Sequence, residues 1–146
     1  MIKLFLLIAI IGGAYFYFYY DSDSAWTLEE RNKSIRTGLF GKKAVLIKEL
    51  KTMPGIADVK IIHDKKKGGI ILKVKTIALD QSKINQVKAA LVKAKPRIVK
   101  AIKEKNDPNH RAFKKAIKRG IWITYKYYLN TGKFIASYTL RRKDFI

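Results

Sequence analysis

The chain has 146 residues, which is enough for one domain and a leader, and 48% of them are hydrophobic, which is sufficient for a packed core. It contains no cysteine, so disulfides, thiolate metal sites and a cysteine nucleophile are excluded. The charge is unusual, because 32 basic residues stand against 11 acidic ones, a formal net charge of +21. Residues 31–146 alone carry 31 basic and 7 acidic residues, or +24, and such a charge favours polyanionic partners.

The first 20 residues form an apolar leader. Lys3 precedes an uncharged run from Leu4 to Tyr20, which would span roughly 25 Å as a helix, near the lower limit for the hydrocarbon core of a bilayer. The run ends in the six aromatic residues 15–20, which suit the headgroup level of a membrane. We therefore expect residues 1–20 to be a signal-anchor or transmembrane helix. The small residues that end at Ala14 leave cleavage by a signal peptidase as the alternative.

Basic residues lie on both sides of the leader, so its orientation follows only weakly from them. Lys3 precedes it, and Arg31, Lys33 and Arg36 follow within the range over which such residues are counted. A basic residue directly before an N-terminal apolar run usually directs export of the chain that follows. We expect a single-pass protein of a bacterial inner membrane with its domain in the periplasm.

Residues 21–38 are predicted to be a linker or stalk that contains a short helix. Ser24 or Thr27 can cap this helix, and Glu29 and Glu30 fall in its first turn, where negative charge suits the helix dipole. The remaining residues, 39–146, are predicted to form the basic domain.

The basic domain begins with a helix and a hairpin. The helix ends at Pro54-Gly55, and its apolar stripe is predicted to consist of Ala44, Ile47, Leu50 and Met53. Alternating apolar residues on both sides of the turn DKKKGG predict a β-hairpin over 56–76. One face of this hairpin is apolar, and the other brings together Lys60, Lys73 and Lys75.

Residues 80–105 carry the longest helical pattern. Asp80 is suited to cap this helix, and Pro96 lies inside it, which predicts a kink or two helices that meet there. Its apolar residues recur at spacings of three and four and form one stripe: Ile84, Val87, Leu91, Ala94, Ile98 and Ile102.

A further helix and a second hairpin complete the chain. Asp107 as the N-cap, Pro108 as the first helical residue and Gly120 as the stop delimit the helix. The run 121–142 is rich in aromatic and β-branched residues, and its NTG turn contains Gly132, which can take a positive φ. The order of elements predicts an α+β domain with a mainly antiparallel four-stranded sheet, made of two hairpins, packed against helices.

The sequence offers little support for catalysis, a metal or a cofactor. His63 and His110 are the only histidines and belong to no metal-binding motif. Glu49 and Asp58 are the one carboxylate pair that merits a test as a general acid and base. Lysines flank Glu49, which predicts an ordinary ionised carboxylate rather than one with a raised pKa. We therefore expect a protein that is not an enzyme and has no small-molecule substrate.

Three clusters of basic residues are candidates for binding an anionic surface. They are the turn Lys65, Lys66 and Lys67, the last helix with Lys114, Lys115, Lys118 and Arg119, and the tail with Arg141, Arg142 and Lys143. Lysines outnumber arginines 25 to 7, which suits a diffuse anionic surface better than the reading of base edges. Four aromatic residues beside Lys126 are candidates for stacking on single strands: Trp122, Tyr125, Tyr127 and Tyr128.

These observations predict a membrane-anchored, non-enzymatic protein whose basic domain binds an anionic lipid, a glycan or an acidic protein surface. Two alternatives stay open at this point. One is a nucleic-acid-binding protein tethered to the membrane. The other is a small accessory or regulatory subunit of an envelope or phage-encoded assembly.

Overall fold

A computed structural model describes residues 25–38, 43–77, 80–105 and 108–146. It has the expected α+β architecture, with helices packed on one face of a four-stranded sheet. The leader 1–20 and the proposed cap Asp107 lie outside the described residues. Within the described part of the chain, no helix is both long and apolar enough to cross a bilayer.

The helices are α1 (Leu28–Thr37), α2 (Lys43–Lys51), α3 (Gln81–Glu104) and α4 (Pro108–Lys118). The strands are β1 (Ile56–Asp64), β2 (Gly69–Thr76), β3 (Trp122–Leu129) and β4 (Phe134–Leu140), and a short 3₁₀ turn follows at Arg142–Asp144. Both predicted hairpins are present, and Gly132 takes a positive φ of 93° in the second turn.

The sheet is mixed, which corrects the expectation of a mainly antiparallel sheet. Its strand order is β1-β2-β3-β4, and β2 pairs with β3 in parallel. The physical reason is the long connection between the hairpins, since α3 and α4 carry the chain back to the end of the sheet at which β2 began. Local sequence sets the pairing within a hairpin, whereas this crossover sets how the two hairpins join.

The predicted helix starts are confirmed where the structure describes them. Thr27 and Glu30 form a reciprocal capping box, with the Glu30 amide donating to Thr27 Oγ1 at 3.2 Å. Asp80 Oδ1 accepts a hydrogen bond from the Lys83 amide at 2.9 Å, and this bond lowers the pKa of the Asp80 carboxyl. Pro108 is the first residue of α4, as predicted.

Helix α3 is a single helix in spite of Pro96. Proline removes the bond to the carbonyl of Val92, four residues earlier. Val92 and Pro96 are both exposed, so the missing bond falls on the part of the helix surface that faces water. The predicted apolar stripe of α3 is buried from Val87 to Ile102, with Ile84 partly buried at its start.

In α2 the buried residues are Leu46 and Leu50, and Ala44 is exposed, because the helix is rotated relative to the predicted stripe.

The segment expected to be a stalk is packed onto the domain. Trp26 is 4% exposed and Ile35 is 0% exposed, and both belong to the hydrophobic core. The Arg31 guanidinium donates to the carbonyls of Trp26, Lys67 and Gly68 at 2.9, 3.3 and 3.3 Å, respectively. Helix α1 therefore closes the helical layer over the end of the sheet that holds the β1–β2 turn.

Candidate functional site

The sheet has two different faces. Its inner face packs on the helices and supplies the buried residues of all four strands. Its outer face is covered by none of the described helices, and none of its side chains is buried. We use the name outer face for the following side chains: Asp58, Lys60, Ile62, Asp64, Ile71, Lys73, Lys75, Trp122, Thr124, Lys126, Tyr128, Phe134, Ser137 and Thr139.

Three lysines lie side by side across the middle of the outer face. Lys60 on β1 is opposite Lys73 on β2, and Lys73 is opposite Lys126 on β3. Neighbouring strands are about 4.8 Å apart, so these three side chains, here called the lysine row, leave the sheet within about 10 Å of one another. Like charges that are directly opposite destabilise a sheet, so the row works against folding unless an anion binds there.

A shallow depression lies on the outer face at each end of the strands. One has a volume of about 200 Å³ and is lined by Asp58, Lys60, Lys73, Lys75, Tyr128 and Gly132. The other has a volume of about 270 Å³ and is lined by Asp64, Lys67, Ile71, Trp122, Thr124, Lys126 and Arg141. Members of the lysine row line both depressions, so the two form one continuous cationic surface.

The two carboxylates of this surface are already engaged. Asp58 forms an ion pair with Lys51 at 3.1 Å, and the hydrogen bond from Lys51 is the main cause that lowers the Asp58 pKa. Asp64 Oδ1 accepts from the Lys67 amide at 3.2 Å and so stabilises the turn. Within the described chain, no ion pair is formed by the six surrounding cations: Lys60, Lys67, Lys73, Lys75, Lys126 and Arg141.

Two of the three basic clusters predicted from the sequence meet at one end of the sheet. The turn Lys65, Lys66 and Lys67 is exposed there, and the tail with Arg141, Arg142 and Lys143 leaves β4 at the same end. Lys67 and Arg141 line one depression. The Arg142 Nε donates to the Lys118 carbonyl at 2.7 Å, and this bond holds the tail against the end of α4.

The third cluster, on α4, is less available than the sequence suggested. Lys114 Nζ donates to the Lys103 and Lys105 carbonyls at 3.4 and 3.2 Å, while Lys115 and Lys118 are half-buried. Arg119 is only 1% exposed, and its guanidinium lies 5.1 Å from the centre of the Trp26 ring. Its assignment to an exposed binding surface is therefore wrong, because it forms a cation–π contact inside the domain.

The four predicted stacking residues divide between the two faces. Tyr125 and Tyr127 are 2% and 0% exposed on the inner face, where both rings stack with Tyr138, so they are core residues and not a stacking surface. Burial raises the pKa of each of these three phenols. The other two predicted residues, Trp122 and Tyr128, lie on the outer face.

One aromatic residue of the outer face, Phe134, was not among the residues predicted from the sequence. Phe134 is 53% exposed, and its ring meets Tyr128 edge to face at a centroid distance of 5.7 Å. The pairing of Tyr128 with Phe134 follows a register shift in β4. The alternation of residues after the NTG turn could have indicated which face Phe134 lies on, but the register shift interrupts that alternation.

Only one of the two histidine side chains, that of His63, is described, and its partner is an amide. His63 Nε2 lies 2.9 Å from Asn32 Oδ1, and burial is the largest of the causes that lower the His63 pKa, followed by the charges of Lys65 and Arg36. His110 belongs to the first turn of α4, and its side chain lies outside the description. The described residues contain no group of three metal-ligating side chains.

Comparison of the chain with protein-family models, with curated proteins and with solved structures finds no match.

Proposed function

We propose that this protein is a membrane-tethered, non-enzymatic binding protein whose outer face docks onto a polyanion. The lysine row is the observation that carries the proposal. Solubility does not require three lysines in directly opposed positions on neighbouring strands. A row of this kind is unfavourable in the free protein and becomes favourable when a chain of negative charges lies across it.

The surrounding residues support the same function. Three further cations extend the positive surface on either side of the row, Lys75 toward one end of the strands and Lys67 and Arg141 toward the other. Lysine binds as a point charge and needs no fixed ligand geometry, so this arrangement suits a repeating anionic chain better than a single small anion.

We expect the triple substitution K60Q/K73Q/K126Q to weaken binding of long-chain inorganic polyphosphate about 100-fold at about 0.1 M salt. Each contact with a single-stranded polyanion contributes about −0.7 to the slope of log K against log salt concentration. The loss of three contacts therefore lowers log K by about 2 at about 0.1 M salt. The matched control is K83Q/K88Q/K93Q, which removes the same charge from exposed positions on α3. The measurement is a titration at several salt concentrations with the full chain in a non-ionic detergent.

The two triple variants separate a local site from a general effect of charge. The control should lose less than about threefold, because screened charges outside the contact contribute little. The outer-face variant should also be at least as stable to urea as the unchanged protein, since the repulsion in the row is relieved. Equal losses of affinity in the two variants would show that the outer face is not the binding site.

The leader supplies the tether in this proposal, with the domain on the periplasmic side of a bacterial inner membrane. The uncharged run from Leu4 to Tyr20 supports the anchor, and Lys3 before it supports export of the domain.

Because the chain has no cysteine, Thr131→Cys places a single thiol in the exposed turn between β3 and β4. We expect a membrane-impermeant maleimide to label this thiol in cells whose outer membrane alone is permeabilised. Labelling in detergent-lysed cells controls for access to the site. A thiol that reacts only after lysis would place the domain in the cytoplasm and refute this orientation.

A further inference from the structure

Trp122 is held in a fixed orientation on the outer face. Its indole Nε1–H donates to the Lys67 carbonyl at 3.0 Å. Its ring lies directly over Gly69, where a Cβ would stand 2.1 Å from two atoms of the indole. Gly69 and Trp122 are partners in the parallel register of β2 and β3. Because Gly69 has no side chain, the indole can pack directly against the backbone of β2.

One side of this ring is covered and the other remains available. The backbone of Gly69 covers the inner side, while the partly exposed indole lines the depression of about 270 Å³. Lys67, Lys126 and Arg141 line the same depression. A pre-oriented aromatic ring with three cations around it offers a stacking surface for a planar ring that carries phosphate groups.

We propose that Trp122 stacks on a base of a single-stranded nucleic acid that follows β3 and whose phosphates contact the lysine row where the nucleic acid crosses it. This inference rests on the polyanion binding of the proposed function, and not on the orientation of the domain, and it names the polyanion that the outer face binds. At the opposite end of β3, Tyr128 and Phe134 form a second aromatic pair about 20 Å from Trp122, six residues along the strand. A strand that crosses the outer face would meet aromatic rings at both ends and cations between them.

The geometry favours a single strand over a nucleic-acid duplex and over an anionic lipid surface. In a duplex the bases are stacked inside the helix and cannot reach a ring that lies flat on a sheet. An anionic lipid surface would satisfy the cations but has no planar ring to place on the indole. A single strand satisfies both, because its bases are free to stack while its phosphates contact lysine.

The test compares two 12-mers with the same number of phosphates, oligodeoxythymidylate and a fully abasic oligomer, added to the full chain in non-ionic detergent. We expect the thymidylate to bind about 10-fold more tightly, the gain expected from stacking one base. It should also quench tryptophan fluorescence. The quenching should persist in W26F, because Trp26 is 4% exposed. It should disappear in W122A, in which the preference for the thymidylate should fall several-fold, to what Tyr128 and Phe134 alone supply.

The outcomes distinguish this inference from the proposed function. Equal binding of the two oligomers without quenching would overturn the stacking role of Trp122 and leave the polyanion function intact. A weaker salt-sensitive association with neutral than with anionic-lipid mixed micelles, together with binding to neither oligomer, would overturn the nucleic-acid assignment in favour of a membrane surface. Failure to bind oligomers and polyphosphate, with equal association with neutral and anionic micelles, would refute both proposals. If W122A does not fold, the comparison of the two oligomers on the unchanged protein still decides.

Discussion

A chain that begins at residue 39 should fail to fold, whereas a chain that begins at residue 25 should fold and melt cooperatively. Both lack the leader, so they differ only in the segment expected from the sequence to be a linker or stalk. The structure places that segment in the core through Trp26 and Ile35.

The size of the effect follows from burial and hydrogen bonding. Truncation of a buried tryptophan costs about 3–5 kcal/mol and that of a buried isoleucine about 2–5 kcal/mol. Loss of the segment also leaves the buried Arg119 without the Trp26 ring and removes the Arg31 bonds to the β1–β2 turn. The sum, about 5–10 kcal/mol, is a large part of the unfolding free energy of a typical domain, which is about 5–15 kcal/mol.

Thermal unfolding followed by circular dichroism would measure this difference. The point variants W26A and I35A in the chain that begins at residue 25 are expected to reproduce much of the loss separately. Similar melting temperatures for the chains that begin at residues 25 and 39 would contradict the packed role of α1 and restore the stalk interpretation.

Gly69→Ala should destabilise the protein by about 1–3 kcal/mol and weaken its binding of single strands. The reason is steric, since the added Cβ would overlap the indole of Trp122 and push the ring away from the backbone of β2. The displaced ring would also lose its hydrogen bond to the Lys67 carbonyl.

A double-mutant cycle isolates this contact. In the W122A background, Gly69→Ala should cost less than about 0.5 kcal/mol, because no ring remains to be displaced and alanine suits a strand at least as well as glycine. Urea unfolding of the four proteins gives the coupling free energy directly. An equal cost in both backgrounds would show that Gly69 is needed for a reason unrelated to Trp122.

Much of the local structure follows from the sequence alone. Thr27 and Asp80 cap their helices, Pro108 starts α4, and Gly132 takes a positive φ, because each depends on the bonding or backbone freedom of a few neighbouring residues. The stripe of α3 and the alternation in β1 and β2 likewise follow from the period of a helix and of a strand.

The prediction of the site was less complete because a period shows which residues share a face but not which face is buried. Tyr125 and Tyr127 alternate with Lys126 and Tyr128, and only the position of the helices decides that the first pair is core. Arg119 likewise looks like part of a basic cluster until Trp26, distant in the sequence, is found beside its guanidinium.

The sequence by itself determined the charge, the apolar leader, the two hairpins and most helix boundaries, all of which depend on composition or on residues close along the chain. Only the tertiary structure decided the parallel pairing of β2 with β3, because that pairing depends on how α3 and α4 cross the sheet. That one pairing brings Lys126 beside Lys73 and Trp122 over Gly69. It thereby assembles the lysine row and the packing of Trp122 on Gly69 from two hairpins that are separated by the whole crossover.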